Sequence, residues 1–490
     1  MIWISNNMRH ALTITLMLWT VPLLAQSNAP ISAIDWLSQP SLATLSEKTL
    51  IVEDPTTGAV VEDITVIELD APVTKSYGLI PAKISGIPQD FWTDLDPDTL
   101  TQIIGSLSEL GLPAAEDLLL RALLAESLGD DAVLGVRVWT LLDRGAVHAA
   151  YSLLGQSEIN NLESFALFAE AALLTDNVEH MCSQLNAARH LSNNEALQVY
   201  CHARAGSWDT AVLNYFTLNT LGAFSPTTSA LLAADLDPEL ADVLSLPLPD
   251  PISLTALEFK LRASVGQPVS TQTLPLKFIP SDLSTSAGWK QQIEAAERLG
   301  AVGSLPAAQL LERYKSSQPS ASGGVWDRVL AVQNLDRALT DPIIDPSDEL
   351  LALWTLMRDR KLAAPLARAW ANKLIKFGEV PEKDDILFQM QVLASANTMD
   401  FSATMARLHS YNPQVLTNSY QTLMAQFDGD IFASIPFRSA NMLRAMRLIS
   451  EALDGNDAAF FEAISLYRAM GLTPLAQQLS MEFMILATDR

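Results

Sequence analysis

The chain has 490 residues, too many for one ordinary hydrophobic core, and this length predicts about three domains or one extended array. Hydrophobic residues make up 49% of the chain, and charged residues make up only 18%. The formal net charge of -25 repels nucleic acid and anionic lipid headgroups, so we expect neither as a partner.

The first 25 residues have the pattern of a secretory signal peptide. Arg9 and His10 precede the apolar run from Ala11 to Ala25, and a polar segment follows. This run is too short for a comfortable transmembrane span, and no later stretch is long and apolar enough for one. We therefore expect cleavage after Ala25, a periplasmic location and no stable membrane insertion. An uncleaved membrane anchor is the alternative.

Residues 26–95 are predicted to form a β-hairpin and an extended arm. Thr49 to Val52 and Val60 to Leu69 are rich in Val, Ile and Thr, and a turn-prone segment separates them. The segment after them is apolar but broken by Gly and Pro, so we expect it to pack on the first helices with Phe91 and Trp92 as buried plugs.

Acidic residues are concentrated towards this end of the chain. Residues 26–130 hold 17 acidic and 4 basic side chains, a net charge of -13. A basic partner or divalent cations would collect there. A solvated acidic surface is the simpler interpretation of the same composition.

Residues 96–221 are predicted to form the first array of helical hairpins. Asp96-Pro97-Asp98 is a helix start, with a capping carboxylate followed by proline at the first helical position. Turns are expected near Gly111, Gly145, Asn177 and Gly206, at spacings of 34, 32 and 29 residues. Such periods are typical of stacked helical hairpins.

The hairpin from Leu107 to Leu124 shows a Gly and Pro turn pattern that recurs along the chain. Gly111 ends one helix and Pro113 opens the next, and the same Gly and Pro order returns at Gly303 and Gly471. The pattern predicts an all-α fold, an α-solenoid of stacked helical hairpins in two arrays with a short β-containing N-terminal arm.

Residues 222–285 contain eight prolines and are predicted to be an elbow between the two arrays. A short helix from Ser253 to Ala263 and an extended segment from Gln272 to Ile279 are expected within it. Residues 286–490 form the predicted second array. Its expected helices are Trp289 to Arg298, Pro306 to Tyr314, Val325 to Leu339, Asp348 to Leu356, Ala364 to Phe377 and Asn441 to Leu453.

The order of these segments resembles that of uncharacterised exported helical-repeat proteins of alphaproteobacteria. The similar features are the signal peptide, the short β segment, a G-L-x-P stretch at Gly78, a G-x-P-x-x-[FL]-W stretch at Gly86 and then the helical repeats. The repeats resemble degenerate tetratricopeptide units, although no unit carries the full side-chain signature of that family. The resemblance implies an exported helical-repeat protein and no particular activity.

Cys182 and Cys201 are the only cysteines, and a disulfide is the preferred interpretation. If two antiparallel helices meet at a turn near Asn193, the two side chains lie nearly level. Two free thiols are an alternative. A zinc site formed with His180 and His202 is another, although neighbouring helix residues point about 100° apart.

Two acidic motifs are candidate sites of chemistry. Asp94, Asp96 and Asp98 begin like a calcium loop, but the glycine and the final bidentate glutamate of that loop are missing. Glu163-Ser164 resembles the Glu-Ser pair of lytic transglycosylases, but the second motif of that family is absent. Capping of helices explains both motifs more simply.

No other catalytic motif is present: the chain lacks a G-x-S-x-G elbow, an H-E-x-x-H pair and a phosphate-binding glycine loop. We therefore expect no catalytic residues, no metal and no cofactor, and a noncatalytic scaffold of the cell envelope that binds other envelope proteins. Alternatives are a module that binds peptidoglycan or another polysaccharide, an accessory of an envelope motility or secretion machine, and an unrecognised enzyme with clustered carboxylates beside the elbow. Hairpin core is the expected role of five tryptophans: Trp139, Trp208, Trp326, Trp354 and Trp370.

Overall fold

A computed structural model describes residues 75–107, 110–237, 253–377, 385–416, 419–429 and 434–487. The predicted signal peptide (residues 1–25), the cleavage site and the predicted β-hairpin (residues 49–69) lie outside these ranges. The described residues belong to one compact unit, residues 72–490. No helix in these ranges combines the length and the apolar character that crossing a bilayer requires.

The fold is all-α with a short β-containing arm, as the sequence predicts. The arm contributes strand β1 (Ser76–Tyr77), which pairs antiparallel with β2 (Ser127–Leu128), and helix α1 (Ala82–Ser85). The backbone of Gly78 passes so close to the next strand that an added Cβ would lie 2.2 Å from the Glu126 backbone, so only glycine fits there.

Phe91 and Trp92 are fully buried, as expected of plugs. The indole of Trp92 donates to the carbonyl of Ala122, and the Phe91 ring packs edge-on against Phe437 near the other end of the chain.

Helical hairpins follow the arm. The helices of the first array are α2 (Pro97–Ser106), α3 (Pro113–Leu124), α4 (Asp131–Asp143), α5 (Val147–Leu154), α6 (Leu162–Leu174), α7 (Val178–Ala187), α8 (Glu195–Arg204), α9 (Trp208–Thr220) and α10 (Pro226–Leu236). Consecutive helices from α3 to α10 pack as neighbours, and so do α2 with α4, α4 with α6 and α8 with α10. The packing is therefore solenoid-like.

Local signals set the helix boundaries of this array. The Asp96 side chain accepts a hydrogen bond from the Thr99 amide at 2.9 Å and caps α2, and Pro97 takes its first position. The predicted turns at Gly111, Gly145 and Gly206 each place glycine at positive φ. Near Asn177 the left-handed residue is instead Asp176, with φ of 60°.

The elbow prediction was too broad at its start. Residues Pro226–Leu236 form the regular helix α10, because Ser225 caps its amide at Thr228 and Pro226 lies at its first position, where proline is tolerated. Helix α11 (Ala256–Ser264) matches the predicted short helix. The segment expected to be extended forms two 3₁₀ turns, Thr271–Thr273 and Leu276–Leu283, because prolines interrupt α-helical hydrogen bonding there.

Residues 253–283, which we call the return segment, run back along the first array. Helix α11 packs on α10 and α6, and the turn at Leu276–Leu283 packs on α6 and α4. Lys277 forms a 2.7 Å ion pair with Glu170 of α6. A Cβ at Gly145 would lie 2.9 Å from the Leu276 carbonyl oxygen, so the contact is close.

The second array matches the predicted helices within a few residues over most of its length. Its helices are α12 (Trp289–Ala301), α13 (Ala307–Lys315), α14 (Val325–Ala338), α15 (Ser347–Met357), α16 (Ala363–Ala369), α17 (Ala371–Leu374), α18 (Asp385–Ser395), α19 (Phe401–Tyr411), α20 (Tyr420–Asp428), α21 (Ser439–Leu453), α22 (Asp457–Ala469) and α23 (Thr473–Leu486). The predicted helix Ala364 to Phe377 is broken at Trp370.

The last helices pack on the first ones, which the sequence pattern did not predict. The Ser439 amide at the start of α21 donates to the Phe91 carbonyl at 3.0 Å, and Arg438 pairs with Asp90. In α23, the buried Glu482 carboxylate accepts from the Ala114 amide of α3 at 2.8 Å. The two ends of the described unit are thus held together by polar contacts over a shared apolar core.

Cys182 on α7 and Cys201 on α8 form a disulfide, and their Cα atoms are 4.9 Å apart. Asn194 caps α8 through the Leu197 amide, so the helix begins directly after the predicted turn. Both sulfur atoms are used in this bond, so they offer no thiolates to a metal. His180 is exposed and contacts Tyr151 and Gln184, whereas His202 is buried.

Replacing both cysteines with alanine is expected to lower the free energy of unfolding by about 3 kcal/mol, because the unfolded chain regains the freedom of the closed loop. Urea denaturation of the wild-type protein with and without reductant should show the same difference, and the double variant should not respond to reductant. Equal stability of the oxidised and reduced wild-type protein would contradict the expectation.

Candidate functional site

An acidic groove lies where α2, α4 and α6 begin. Its volume is about 520 Å³. Leu134 and Trp139 of α4 and Leu167 of α6 give it an apolar floor, and Trp139 remains 40% exposed. The rim carries four carboxylates, those of Asp98, Asp131, Glu158 and Glu163. We call this site the acidic groove.

Close packing of α4 and α6 forms the floor of the acidic groove. A Cβ on Gly135 would lie 3.5 Å from the Leu167 side chain, an ordinary van der Waals distance, so the two helices are in close contact here. Trp139 follows one turn later, at i+4 of the same helix, and therefore lies on the same face as Gly135. The two helices thus present an indole beside an apolar surface.

Negative charge dominates the rim. Asp98, Glu158 and Glu163 form no ion pair with any residue in the described ranges, and the lining there contains no Lys or Arg. Asp131 accepts a hydrogen bond from the Tyr77 hydroxyl, and Lys75 lies 3.9 Å from it. Burial raises the pKa of Tyr77, and the nearby carboxylates raise it further, so its hydroxyl stays protonated as a donor.

The three aspartates of the candidate calcium loop do not converge. Asp94 accepts from the Ser439 hydroxyl and from the Ala440 amide, which fixes it to α21. Asp96 caps α2, and this hydrogen bonding from Thr99 lowers its pKa. Only Asp98 lines the groove. Within the described ranges, no group of three or more Asp, Glu, His or Cys side chains could hold a metal ion.

Glu163 and Ser164 begin helix α6. Asn161 and Ser164 form a reciprocal capping box, and Phe165 is part of the buried core. Glu163 is exposed at the rim of the acidic groove, where it complements the positive end of the helix dipole. The capping explanation therefore accounts for this motif.

A second, more polar cleft lies beside the return segment and has a volume of about 450 Å³. It contains clustered carboxylates, the feature that the enzyme alternative required. Each of them already has a partner: Asp282 accepts from Thr271, Glu294 accepts from Gln272, and Glu297 is held by Arg328. These contacts join secondary structure elements, so we assign the cleft a structural role.

A third cavity of about 330 Å³ lies at the junction between the N-terminal and C-terminal helices. Gly111 and Gly303, two glycines of the recurring Gly and Pro turn pattern, line it. Arg368 and Asp117 of its lining form an ion pair, and Arg368 also pairs with the buried Glu482. Burial raises the pKa of Glu482. We assign this cavity to the closure of the fold.

The five tryptophans expected in the hairpin core do not behave alike. Trp354 and Trp370 are buried, and Trp326 is partly buried. Trp139 and Trp208 are 40% and 49% exposed, so for these two the core expectation was wrong. For Trp139, the available sequence signal was its position four residues after Gly135 in the same helix. Whether that helix face is exposed depends on how the neighbouring helices pack.

Comparison of the chain with protein-family models, with curated proteins and with solved structures gives no match.

Proposed function

We propose that the protein is a noncatalytic scaffold of the cell envelope, exported to the periplasm, that binds other envelope proteins. The observation that carries this proposal is the open acidic groove with a partly exposed tryptophan, on a solenoid-like helical fold. Stacked hairpins present an extended surface whose side chains can vary without disturbing the core.

The disulfide supports an oxidising compartment such as the periplasm, because cytosolic reductants keep most thiols reduced. The net charge of -25 argues against nucleic acid and anionic lipid as partners. In the cleft beside the return segment the carboxylates are already paired, which supports the noncatalytic part of the proposal.

Affinity purification after cross-linking in intact cells tests the proposal. We expect the tagged protein to be recovered from the periplasmic fraction together with a reproducible set of envelope proteins. Recovery of a lone monomer from cross-linked cells, or of a cytoplasmic protein with reduced cysteines, would contradict it.

Binding of peptidoglycan or another polysaccharide is the second candidate, and the exposure of Trp139 favours it, since indoles stack on sugar rings. Sedimentation with purified sacculi separates the two candidates. The polysaccharide candidate requires sedimentation of the wild-type protein and its loss on replacement of Trp139, whereas the scaffold proposal requires neither.

A further inference from the structure

The acidic groove is the uncovered part of the surface that α4 and α6 form. The return segment covers the neighbouring part of the same face, where Leu276 lies against the end of α4 and Lys277 pairs with Glu170 of α6. Towards the starts of α4 and α6 this cover ends, and the groove around Trp139 begins. An extended ligand can therefore reach the groove without displacing the return segment.

The negative charge of the groove favours a positively charged ligand. Four carboxylates surround it, and Asp130, the cap of α4, adds a fifth negative charge nearby. These carboxylates also act on Tyr77: burial raises the pKa of its hydroxyl most, and Asp131, Glu158 and Asp130 raise it further. Carboxylates without cationic partners in a partly enclosed groove concentrate positive charge.

The apolar floor favours a cationic group that is carried on a long aliphatic stem. Lys and Arg carry long aliphatic stems that pack on apolar surface while the charged group stays near water, and their cationic groups bind the face of an indole. Leu134, Leu167 and Trp139 offer both kinds of contact. A groove of this kind fits lysine or arginine side chains better than it fits a small inorganic cation.

The other occupants fit less well. The carboxylates lie on α2, α4, α6 and the segment before α6, and they form no cluster that could hold a metal within the described ranges. Peptidoglycan stem peptides carry carboxylates, which the groove would repel.

We infer that the acidic groove binds a lysine- or arginine-rich extended segment of a partner protein, with cationic side chains on Trp139 and between the rim carboxylates. This inference rests on the proposed scaffold function and names the chemistry of the partner. Binding requires no change in the fold and no cofactor.

The test uses the purified mature protein with its disulfide intact and a fluorescein-labelled peptide of alternating Lys and Leu. Fluorescence anisotropy should show binding that weakens as salt is raised, and a matched peptide of alternating Glu and Leu should not bind. Trp139→Ala should weaken binding about tenfold, as loss of a partly desolvated cation–π contact does. The triple variant Asp98→Asn, Glu158→Gln, Glu163→Gln should weaken it further and flatten the salt dependence.

Matched controls lie on the same array, outside the lining of the acidic groove. Trp208 on α9 is similarly exposed, and Glu179, Glu195 and Asp209 are carboxylates in first turns of helices, as Asp98 and Glu163 are. Trp208→Ala, and the triple variant Glu179→Gln, Glu195→Gln, Asp209→Asn, should bind the Lys-Leu peptide as the wild-type protein does.

Equal binding by groove variants and control variants would overturn the inference, and so would equal binding of the Glu-Leu peptide. Competition by calcium at millimolar concentration or by soluble peptidoglycan fragments, without competition by unlabelled Lys-Leu peptide, would also overturn it. The scaffold proposal fails separately, when cross-linked cells yield no partner. If partners are recovered equally with wild-type protein and groove variants, only the groove inference fails.

Discussion

Replacing Arg328 with alanine is expected to lower the free energy of unfolding by about 4 kcal/mol, because it leaves a buried carboxylate without its counter-ion. Arg328 of α14 donates to both oxygens of Glu297 on α12, at 2.6 and 2.7 Å, and both residues are almost fully buried. The Tyr314 hydroxyl of α13 donates to the same carboxylate at 2.7 Å. Helices α12, α13 and α14 are thus joined at the buried Glu297 carboxylate.

The pKa values agree with a charged pair. Burial lowers the pKa of Arg328, but the hydrogen bonds and the charge of Glu297 outweigh it, so the pKa is raised. Burial and the Glu297 charge raise the pKa of Tyr314 well above its usual value, so its hydroxyl remains a donor.

Urea denaturation measures the effect of Arg328→Ala. A matched control is Arg447→Ala, which removes an exposed pair with Glu451 within α21 and should change stability by less than about 1 kcal/mol. The double variant Arg328→Met, Glu297→Leu should recover much of the loss, since neither charge is then buried alone. A loss for Arg328→Ala as small as that of the control would contradict the interpretation.

Replacing Arg137 with methionine is expected to lower the free energy of unfolding by about 4 kcal/mol, since several buried carbonyl groups lose their donor at once. Arg137 is 2% exposed. Its guanidinium donates to the carbonyls of Leu123, Ala125 and Tyr77 and to the Ser127 hydroxyl, at 2.7 to 3.1 Å.

Arg137 joins three parts of the chain. The carbonyls at the end of α3 have no following helical turn to bond them, and the cation lies at the negative end of that helix dipole. The same side chain reaches β1 and β2, so it fixes the N-terminal arm to α4. Burial lowers its pKa to about 10, which leaves the guanidinium protonated at neutral pH.

Hydrogen exchange and urea denaturation together test the role of Arg137. In Arg137→Met the amides of the arm, at Leu79 and Ile80, should exchange faster than in the wild-type protein. Arg337→Met, at an exposed position of α14, should leave both measurements within about 0.5 kcal/mol of the wild-type values. Unchanged exchange in the arm of Arg137→Met would show that the carbonyls are satisfied without it.

Local signals predicted most of the helices. The Asp96 cap with Pro97 behind it, and the left-handed glycines at Gly111, Gly145 and Gly206, depend only on neighbouring residues, so the sequence pattern is sufficient. The same reasoning is wrong at Pro226, which the elbow prediction includes although Ser225 makes it a helix start. A proline has opposite meanings at the first turn and inside a helix.

Long-range contacts could not be predicted in this way. The hydrogen bond from Ala114 to Glu482 and the pairing of Asp90 with Arg438 join residues from opposite ends of the unit, and neither leaves a periodic pattern in the sequence. The acidic groove likewise depends on contacts between residues that are distant in the sequence. Of its rim carboxylates only Asp98 lies within the acidic stretch at residues 26–130, and the exposure of Trp139 depends on how α2, α4 and α6 pack and where the return segment ends.

Site-specific photo-cross-linking in living cells tests the central claim, that the acidic groove is where this scaffold binds its partner. A photoreactive phenylalanine analogue would replace Thr101, an exposed residue lining the groove, and in a second strain Thr210, an exposed residue of α9 outside it. We predict that light produces a cross-linked adduct with an envelope protein from position 101 and none from position 210, and that the adduct contains a lysine- or arginine-rich segment. No adduct at position 101, or the same adduct at both positions, would contradict the account.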